Sequence, residues 1–273
     1  MITNEALAEV GRVFYWVAGL GFFFLIIAES LRPALPFAGE AERIRHIARN
    51  FGLWLVTFTV GDLAFGIGIL DLQNHLTETW FGPFHWLDLP WWFEVTAGLL
   101  IVDLSEYVFH RLSHGIRPLW LVHAVHHSDP HLDATTSLRF HPGEVIANIS
   151  WKVLVCGLMG IPFWIVGLRG IVMGACSLLQ HANIVWPDWL DRALRIVIIT
   201  PALHRMHHSP EPAENNTNFG EVLSIWDRLF GTYSEAEAGR APVYGLPRLR
   251  ETKWQTVLGL VGTPVTARHF PQL

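Results

Sequence analysis

The chain has 273 residues, of which 51% are hydrophobic and only 16% are charged, and its mean hydropathy is +0.32. Soluble domains usually carry about 25% charged residues, so this composition favours a membrane protein. The formal net charge of −5 argues against a nucleic-acid partner. The two cysteines, Cys156 and Cys176, lie in apolar runs, so we expect both to be reduced and buried.

Four long apolar stretches follow one another along the chain. They cover residues 13–31, 51–70, 91–109 and 145–179. The first three have about the length that spans a bilayer, roughly 20 residues. The fourth is too long for one span, and Gly160, Pro162, Gly167 and Gly170 predict that it breaks into a hairpin of two helices. We therefore predict an all-α integral membrane bundle of four to five embedded helices.

The placement of lysine and arginine predicts the orientation of this bundle. The loop 32–50 carries several arginines, whereas residues 71–90 contain no lysine or arginine, so 32–50 is expected on the cytoplasmic side. The third stretch and the hairpin then return the rest of the chain to that side as a histidine-rich cap. We divide the chain into an N-terminal helix with its loop (1–50), a histidine-bearing domain (51–235) and a C-terminal cytoplasmic tail (236–273).

Eight histidines on the cytoplasmic side form three spaced motifs. The motifs are His110 with His114, then His123, His126 and His127, and finally His204, His207 and His208. Helical residues four apart share one face, so such pairs can grip one metal ion. Adjacent helical residues point about 100° apart, so an adjacent pair suits two different ions. The motifs predict two metal sites, although imidazole accepts iron, zinc, copper or nickel alike.

Two acidic residues precede the first motif on the same helical face. Asp103 and Glu106 lie seven and four residues before His110. A carboxylate in an apolar span costs about 2.5–3.5 kcal/mol, so each should face the interior and have a partner. Ligating imidazoles usually donate their other N–H to a carboxylate or carbonyl, which makes both acids candidate catalytic or ligand-orienting residues. The alternative is a pair of buried acids that bind other polar neighbours.

The three motifs, together with other segments, resemble the membrane fatty acid hydroxylase and sterol desaturase superfamily. The supporting segments are "RFHPGE" (139–144), "TPALHRMHH" (200–208) and "SIWDRLFGTY" (224–233). The resemblance covers about residues 50–235 and is strongest to bacterial sterol desaturase-like proteins near the alkylglycerol monooxygenase branch. It implies a non-haem di-iron centre that uses O2 to hydroxylate or desaturate a lipid C–H position. Residues 209–220 lack the tyrosine and lysine pattern of the alkylglycerol branch, so that substrate is not carried over.

The resemblance also bears on further residues and on partners. Family members tend to have an extra histidine between the second and third motifs, which favours His181 as a ninth ligand. His141 is the competing candidate, and we place it behind the ligands together with Glu144. The chain has no dinucleotide fingerprint, haem-attachment motif or cysteine cluster, so electrons must come from a ferredoxin- or cytochrome-like protein and its reductase. The expected location is the bacterial inner membrane, with the site facing the cytoplasm.

Two other functions stay open from the residues alone. A metal-dependent hydrolase is disfavoured because the chain contains no His-Glu-x-x-His motif. A non-catalytic membrane protein that binds metal or lipid is the alternative from a different class. The histidines outside the motifs are expected to be ordinary core or surface residues, namely His46, His75, His85, His131 and His269.

Overall fold

The computed structural model describes residues 19–65, 75, 82–235 and 243–270. Within these ranges the chain is helical, and its extended pairing is limited to one isolated antiparallel bridge between Ile198 and Leu223. The all-α prediction is therefore confirmed. Residues 19–31 are helical and precede a loop.

The longer helices form the body of the molecule. They are α1 (Glu40–Phe65), α3 (Trp91–Gly115), α4 (Arg117–His127), α5 (Pro142–Met159), α6 (Phe163–His181) and α11 (Val257–Thr266). Short helices connect and cap them: α2 (Pro83–Trp86), α7 (Asp188–Leu194), α8 (Pro201–His207), α9 (Pro212–Asn215) and α10 (Ile225–Leu229). Two 3-10 turns lie at Ala134–Leu138 and Pro247–Leu249.

The membrane-spanning part of the prediction is not confirmed. Among the described residues, no helix combines the length and the apolar character that crossing a membrane requires. Residues 13–18 and 66–70, which belong to the first two apolar stretches, lie outside the described ranges.

The long fourth apolar stretch does fold as a helical hairpin. Helix α5 ends at Gly160, whose φ of 73° is left-handed, and α6 begins directly after Pro162. Glycine adopts a left-handed φ without the steric penalty that a Cβ would bring, so this is a favourable place to end a helix. Gly167 and Gly170 do not interrupt α6, because a glycine inside a helix costs only about 1 kcal/mol.

Helix α3 is central and packs against α4, α5 and α6. Its Val102 forms a buried apolar cluster with Cys156, Ile161 and Ile165 of the hairpin. Both cysteines are free thiols; Cys156 is buried as expected, whereas Cys176 is half-buried. The outcome is a frame in which the ends of α3, α4 and α6 meet at one place.

The C-terminal segment packs onto this frame. Leu260 of α11 joins Leu53 of α1 and Val125 of α4 in a second buried cluster. Leu249 and Ala267 pack against Ala124 on another side of α4. Residues 243–270, which the sequence places in a tail, thus cover the helix that carries the second histidine motif.

Candidate metal centre

Nine histidines from four helices and a helix end come together in two adjacent groups. The larger group contains His110, His114, His123, His127 and His207, and the smaller group contains His126, His181, His204 and His208. Within each group, the nitrogens that could ligate lie within 4.8 Å of one another. Each histidine is buried except His114, which is half-buried. All nine candidate ligands named from the sequence are present, and His181 is among them.

The adjacent histidines of the second and third motifs point into different groups. His126 belongs to the smaller group and His127 to the larger group. In the same way, His208 belongs to the smaller group and His207 to the larger group. This division follows from the helical angle of about 100° between neighbouring residues. One helix turn therefore serves both candidate sites.

Five of the nine rings have their Nδ1 atom fixed by an acceptor behind them. His110 Nδ1 lies 2.8 Å from Phe219 O, His207 Nδ1 2.8 Å from Thr217 O, His123 Nδ1 2.6 Å from Glu144 Oε1, His126 Nδ1 3.2 Å from Arg139 O, and His181 Nδ1 2.8 Å from Ser177 O. Carbonyl and carboxylate oxygens only accept hydrogen bonds, so each of these Nδ1 atoms carries the proton. In the neutral ring the Nε2 atom then presents a lone pair.

Those lone pairs face one another at short distances. In the larger group, Nε2 of His110 lies 3.2 Å from Nε2 of His123 and 3.0 Å from Nε2 of His207. In the smaller group, Nε2 of His181 lies 3.2 Å from Nε2 of His126. Facing lone pairs repel unless a cation lies between them. Two ligand nitrogens at right angles, each about 2.1 Å from an ion, are about 3 Å apart, so this spacing fits metal coordination.

The protonation state of the rings also suits metal binding. Burial lowers the pKa of His110 and of His181 to about 4, and neighbouring charged groups modify that effect. Burial and then the neighbouring imidazoles lower the pKa of the other affected rings well below 6.5; these are His114, His126, His127, His204, His207 and His208. Neutral imidazole is the form that ligates a metal, so these rings are available at neutral pH.

Glu144 occupies the position that we expected behind the ligands, whereas His141 does not. The Oε1 atom of Glu144 accepts from Nδ1 of His123 and fixes the orientation of that ring. His141 caps the start of α5, where its Nδ1 accepts from the Gly143 amide and its Nε2 donates to Val261 O. Both nitrogens of His141 are used by the backbone, so this ring supports the helix start and belongs to neither group.

The expected contact of Asp103 and Glu106 with ligating histidines is not observed. Asp103 Oδ1 pairs with the Arg169 guanidinium at 2.8 Å, and Asp103 Oδ2 accepts from Trp226 Nε1 at 2.8 Å. Both acids are buried and partnered, as an acid in an apolar stretch should be. Both acids face the interior, as predicted, but their carboxylates bind cations and hydrogen-bond donors from other elements. The spacing within one helix does not reveal those partners.

The Glu106 carboxylate likewise binds side chains other than the histidines, although its partners differ from those of Asp103. Its Oε2 accepts from Asn148 Nδ2 at 2.9 Å and lies 3.4 Å from Lys152 Nζ. Both partners come from α5, which packs on α3. Glu106 therefore faces the space between α3 and α5 rather than the back of an imidazole.

A cavity of about 190 Å³ opens onto both histidine groups. Its wall includes His110 and His123 from the larger group and His126, His181 and His204 from the smaller group. Glu106 and Glu144 also line it, whereas Asp103 is not in its wall. A molecule in this cavity would lie next to both candidate metal sites.

The match to a known family agrees with this geometry. The family model for fatty acid hydroxylase matches residues 95–232, which is half of the chain and contains every histidine of the two groups. The chain belongs to the fatty acid hydroxylase family. The resemblance inferred from the three motifs is confirmed.

Several curated relatives are members of the same superfamily. The ornithine lipid hydroxylase OlsE of Rhizobium tropici is 39% identical over 153 residues, which is 56% of this chain and 44% of the relative. The alkylglycerol monooxygenase of Danio rerio is 30% identical over 175 residues, 60% of this chain and 35% of the relative, and that of Homo sapiens is 30% identical over 167 residues, 58% and 34%. The match thus spans less than half the length of each relative. No solved structure matches the chain.

Two residues that hold the candidate site of this fatty acid hydroxylase family member in place were not predicted from the sequence. Asp227, in the quoted "SIWDRLFGTY" segment, accepts from the amides of Phe219 and Gly220 at 2.7 and 2.8 Å. It thereby holds in place the Phe219 carbonyl that accepts the hydrogen bond from His110 Nδ1. The sequence offered no signal for this role, because the groups that orient the ring are backbone atoms.

Arg139 is the second missed support. Its side chain is fully buried and donates to Val125 O, Asn50 Oδ1, Ser128 Oγ and Gln255 Oε1 at 2.8–3.0 Å. The carbonyl of Arg139 accepts from His126 Nδ1. A guanidinium offers several donors in a fixed plane, so one residue holds the second motif against α1 and the C-terminal segment.

Proposed function

We propose that this chain is an O2-dependent oxidoreductase that hydroxylates or desaturates a C–H position of a lipid at a two-iron centre. The observation that carries the proposal is the pair of histidine groups whose Nε2 atoms converge at 2.9–3.2 Å. Membership of the fatty acid hydroxylase family and the relatives named for lipid hydroxylation support the chemistry.

The nine histidines would hold the metal ions, five at one site and four at the other. Imidazole suits iron, and neutral ligands leave the positive charge of the ions intact. Bound iron would supply the activation of O2. For hydroxylation the balance is R–H + O2 + 2e⁻ + 2H⁺ → R–OH + H2O, and for desaturation it is R–CH2–CH2–R′ + O2 + 2e⁻ + 2H⁺ → R–CH=CH–R′ + 2H2O. The two electrons would come from a separate ferredoxin- or cytochrome-like donor with its reductase, because the chain carries no motif for a redox cofactor of its own.

The residues of the chain position the substrate and the protons. Glu144 orients His123, so its role is to keep a ligand in place. Glu106 lines the cavity, and its carboxylate oxygen Oε1 has no hydrogen-bond partner among the described residues. We assign Glu106 as the carrier of a proton that the balance requires. Asp103 pairs with Arg169 outside the cavity wall and is assigned a structural role.

We propose that the enzyme works at a membrane, with the histidine groups on the cytoplasmic side of a bacterial inner membrane. The lysine and arginine asymmetry between residues 32–50 and 71–90 supports the orientation. Large apolar side chains that are exposed on several elements support contact with lipid; examples are Phe24, Phe58, Leu63, Trp91 and Leu158.

Reduced, iron-loaded protein tests this function directly. We expect about two iron ions per chain and O2 uptake that depends on added membrane lipid. The matched control is the same protein loaded with zinc, which fills the same ligands but has no redox chemistry. A single tightly bound zinc ion, with no gain on iron loading, would contradict the two-iron proposal. Two bound iron ions without lipid-dependent O2 uptake would favour the non-catalytic alternative. Lipid hydrolysis in the absence of O2 would favour the hydrolase.

A further inference from the structure

The two helices of the hairpin diverge although only residues 160–162 join them. Helix α5 packs extensively on α3 and so does helix α6, but α5 and α6 do not pack extensively on each other. Consecutive helices with so short a link usually pack side by side. Here a gap, the α5–α6 cleft, remains between them.

The cavity at the histidine groups extends into this cleft. On the α6 side its wall runs from Gly170 through Met173 and Ser177 to His181. Eleven residues of helix correspond to about 16 Å. Gly170 is exposed, Met173 is half-buried, and Ser177 and His181 are buried, although Arg169, beside Gly170 in the same wall, is buried as well.

The facing wall on α5 shows a gradient of burial. Lys152 and Asn148 are half-buried, whereas Glu144, which contacts His123, is buried. The spacing of these three residues places them on one face of α5. The cleft is therefore a funnel whose wide end lies at the level of Lys152 and Gly170 and whose narrow end lies at the metal ligands.

Gly170 leaves the wide end of the funnel unobstructed. A Cβ added at Gly170 would meet no heavy atom within 4 Å. The same is true of Gly167, one helical turn earlier on α6, but Gly167 is not in the cavity wall. The absence of a side chain at position 170 thus keeps the entrance of the cleft open. Gly167, on the same helix but outside the cavity wall, offers a control.

We propose that the α5–α6 cleft is the entry and binding site for the hydrocarbon chain of the substrate, and that Gly170 determines which chains can enter. The inference rests on the proposed function, since the funnel ends where the lipid C–H bond would be oxidised. The occupant is a flexible aliphatic chain, because apolar side chains line the cavity between the two helices, namely those of Phe109, Phe140, Val145 and Met173. The chain passes over bare helix backbone at Gly170 and lies against Met173 on its way to His181.

Photolabelling with a fatty acid that carries a diazirine in mid-chain tests this site in membranes that contain the full-length, metal-loaded protein. The readout is label on the peptide that contains Met173, normalised to label on the exposed α1 residues Phe58 and Leu63. We expect strong labelling at Met173 in the parental protein, an intermediate level in Gly170→Ala, and at least a five-fold loss in Gly170→Leu. Gly167→Leu should label like the parental protein. Leucine and alanine favour helix over glycine, so the variants should keep the fold, and metal content should be unchanged.

The proposal would be overturned by no label at Met173 in the parental protein, or by equal label there in Gly170→Leu. A general loss in Gly167→Leu as well would also overturn it, because it would show an effect of side-chain bulk on α6 rather than a blocked entrance. The labelling needs no turnover. A protein that labels inside the cleft but oxidises no lipid would therefore retain the binding site and reject the proposed activity.

Discussion

At the scale of single residues, the central feature is that most of the candidate ligand rings are held from behind by a hydrogen-bond acceptor. Five of the nine histidines donate Nδ1–H to a fixed acceptor, and four of these acceptors are backbone carbonyls. The sequence identified the rings because histidine spacing on a helix is a geometric signal. It could not identify the carbonyls of Phe219, Thr217 or Ser177, since a backbone acceptor has no residue-type signature.

Glu144 orients a candidate ligand through its side chain. Its removal frees His123 to rotate, so we predict that Glu144→Ala weakens metal binding at the larger group by about 10–100-fold. Metal content after dialysis against a weak chelator measures the effect. Glu106→Gln is the control, because Glu106 lines the same cavity but contacts Asn148 and Lys152 instead of a histidine. It should keep both metals and lose turnover. Equal metal loss in the two variants would show that Glu144 has no special role.

His181 is predicted to be a ligand although no motif contains it. Its Nε2 lies 2.9–3.2 Å from Nε2 of His126, His204 and His208, at the centre of the smaller group. We expect His181→Ala to reduce the metal content from about two ions to about one per chain and to abolish turnover. His131→Ala is the control, since His131 is half-buried, contacts the Phe37 ring at a tilt and belongs to neither group. Full metal content and near-normal turnover in His181→Ala would exclude it as a ligand.

At the scale of helices, the sequence predicted the elements well wherever a local signal existed. Gly160 and Pro162 marked the hairpin turn, and the adjacent histidines of α4 divided between two groups as a helix requires. The partners of Asp103 and Glu106 were not predictable. Arg169 comes from α6 and Lys152 from α5, so these contacts depend on how the helices pack, which spacing within α3 does not contain.

A buried ion cluster ties α1 to the loop that follows the second motif. His46 Nε2 lies 2.8 Å from Asp129 Oδ1, and His46 Nδ1 lies 3.2 Å from Asp133 Oδ2. Burial alone would lower the pKa of His46, but the two carboxylates outweigh it and raise that pKa to about 10. The His131 ring is another titratable neighbour, 6.4 Å away between ring centres. His46 is thus a structural cation and not an isolated core histidine.

This cluster predicts how stability depends on pH. The unfolded chain releases the His46 proton near pH 6.5, whereas the folded protein keeps it until about pH 10. The stabilisation is therefore complete below about 6.5 and is lost as the pH rises toward 10. We expect a loss of at least about 1 kcal/mol across this window, roughly 2–4 °C in Tm. His46→Gln should remove this part of the pH dependence and His131→Gln should retain it. An identical Tm profile in His46→Gln and the parental protein would refute the assignment.

At the scale of the whole molecule, the apolar stretches predicted the helical class and the histidine motifs predicted the family. The predicted membrane-spanning helices are not confirmed, since no described helix is long and apolar enough to cross a membrane. Apolar stretches in this chain are interrupted by buried charges such as Asp103, Glu106 and Arg169, which pair inside the bundle. Such charges lower the mean hydropathy of a stretch, although pairing offsets the cost of burying them. The predicted topology therefore needs a direct test.

Reporter fusions provide that test. We predict cytoplasmic signals after Arg45, which lies in the arginine-rich residues 32–50, and after Gly115 and Tyr233, which follow the first and third histidine motifs of one candidate metal centre. A fusion at Asn74, which lies outside the described residues, should give an external signal. Opposite signals at Gly115 and Tyr233 would contradict the structure itself, since His114 and His207 belong to one group. A cytoplasmic signal at Asn74 alone would refute only the expected spans.

We propose above all that this chain hydroxylates or desaturates a lipid C–H position with O2, electrons and protons, at metals held by the nine histidines. Growth of cells that produce the protein under ¹⁸O2, followed by mass spectrometry of their lipids, tests it most directly. A hydroxylase yields a lipid that carries one ¹⁸O atom, and a desaturase yields a lipid that has lost two hydrogens. Either product should be absent from cells that produce His181→Ala and present with His131→Ala. A lipid profile identical in the parental protein and His181→Ala, or a new hydroxyl whose oxygen comes from water, would contradict the account.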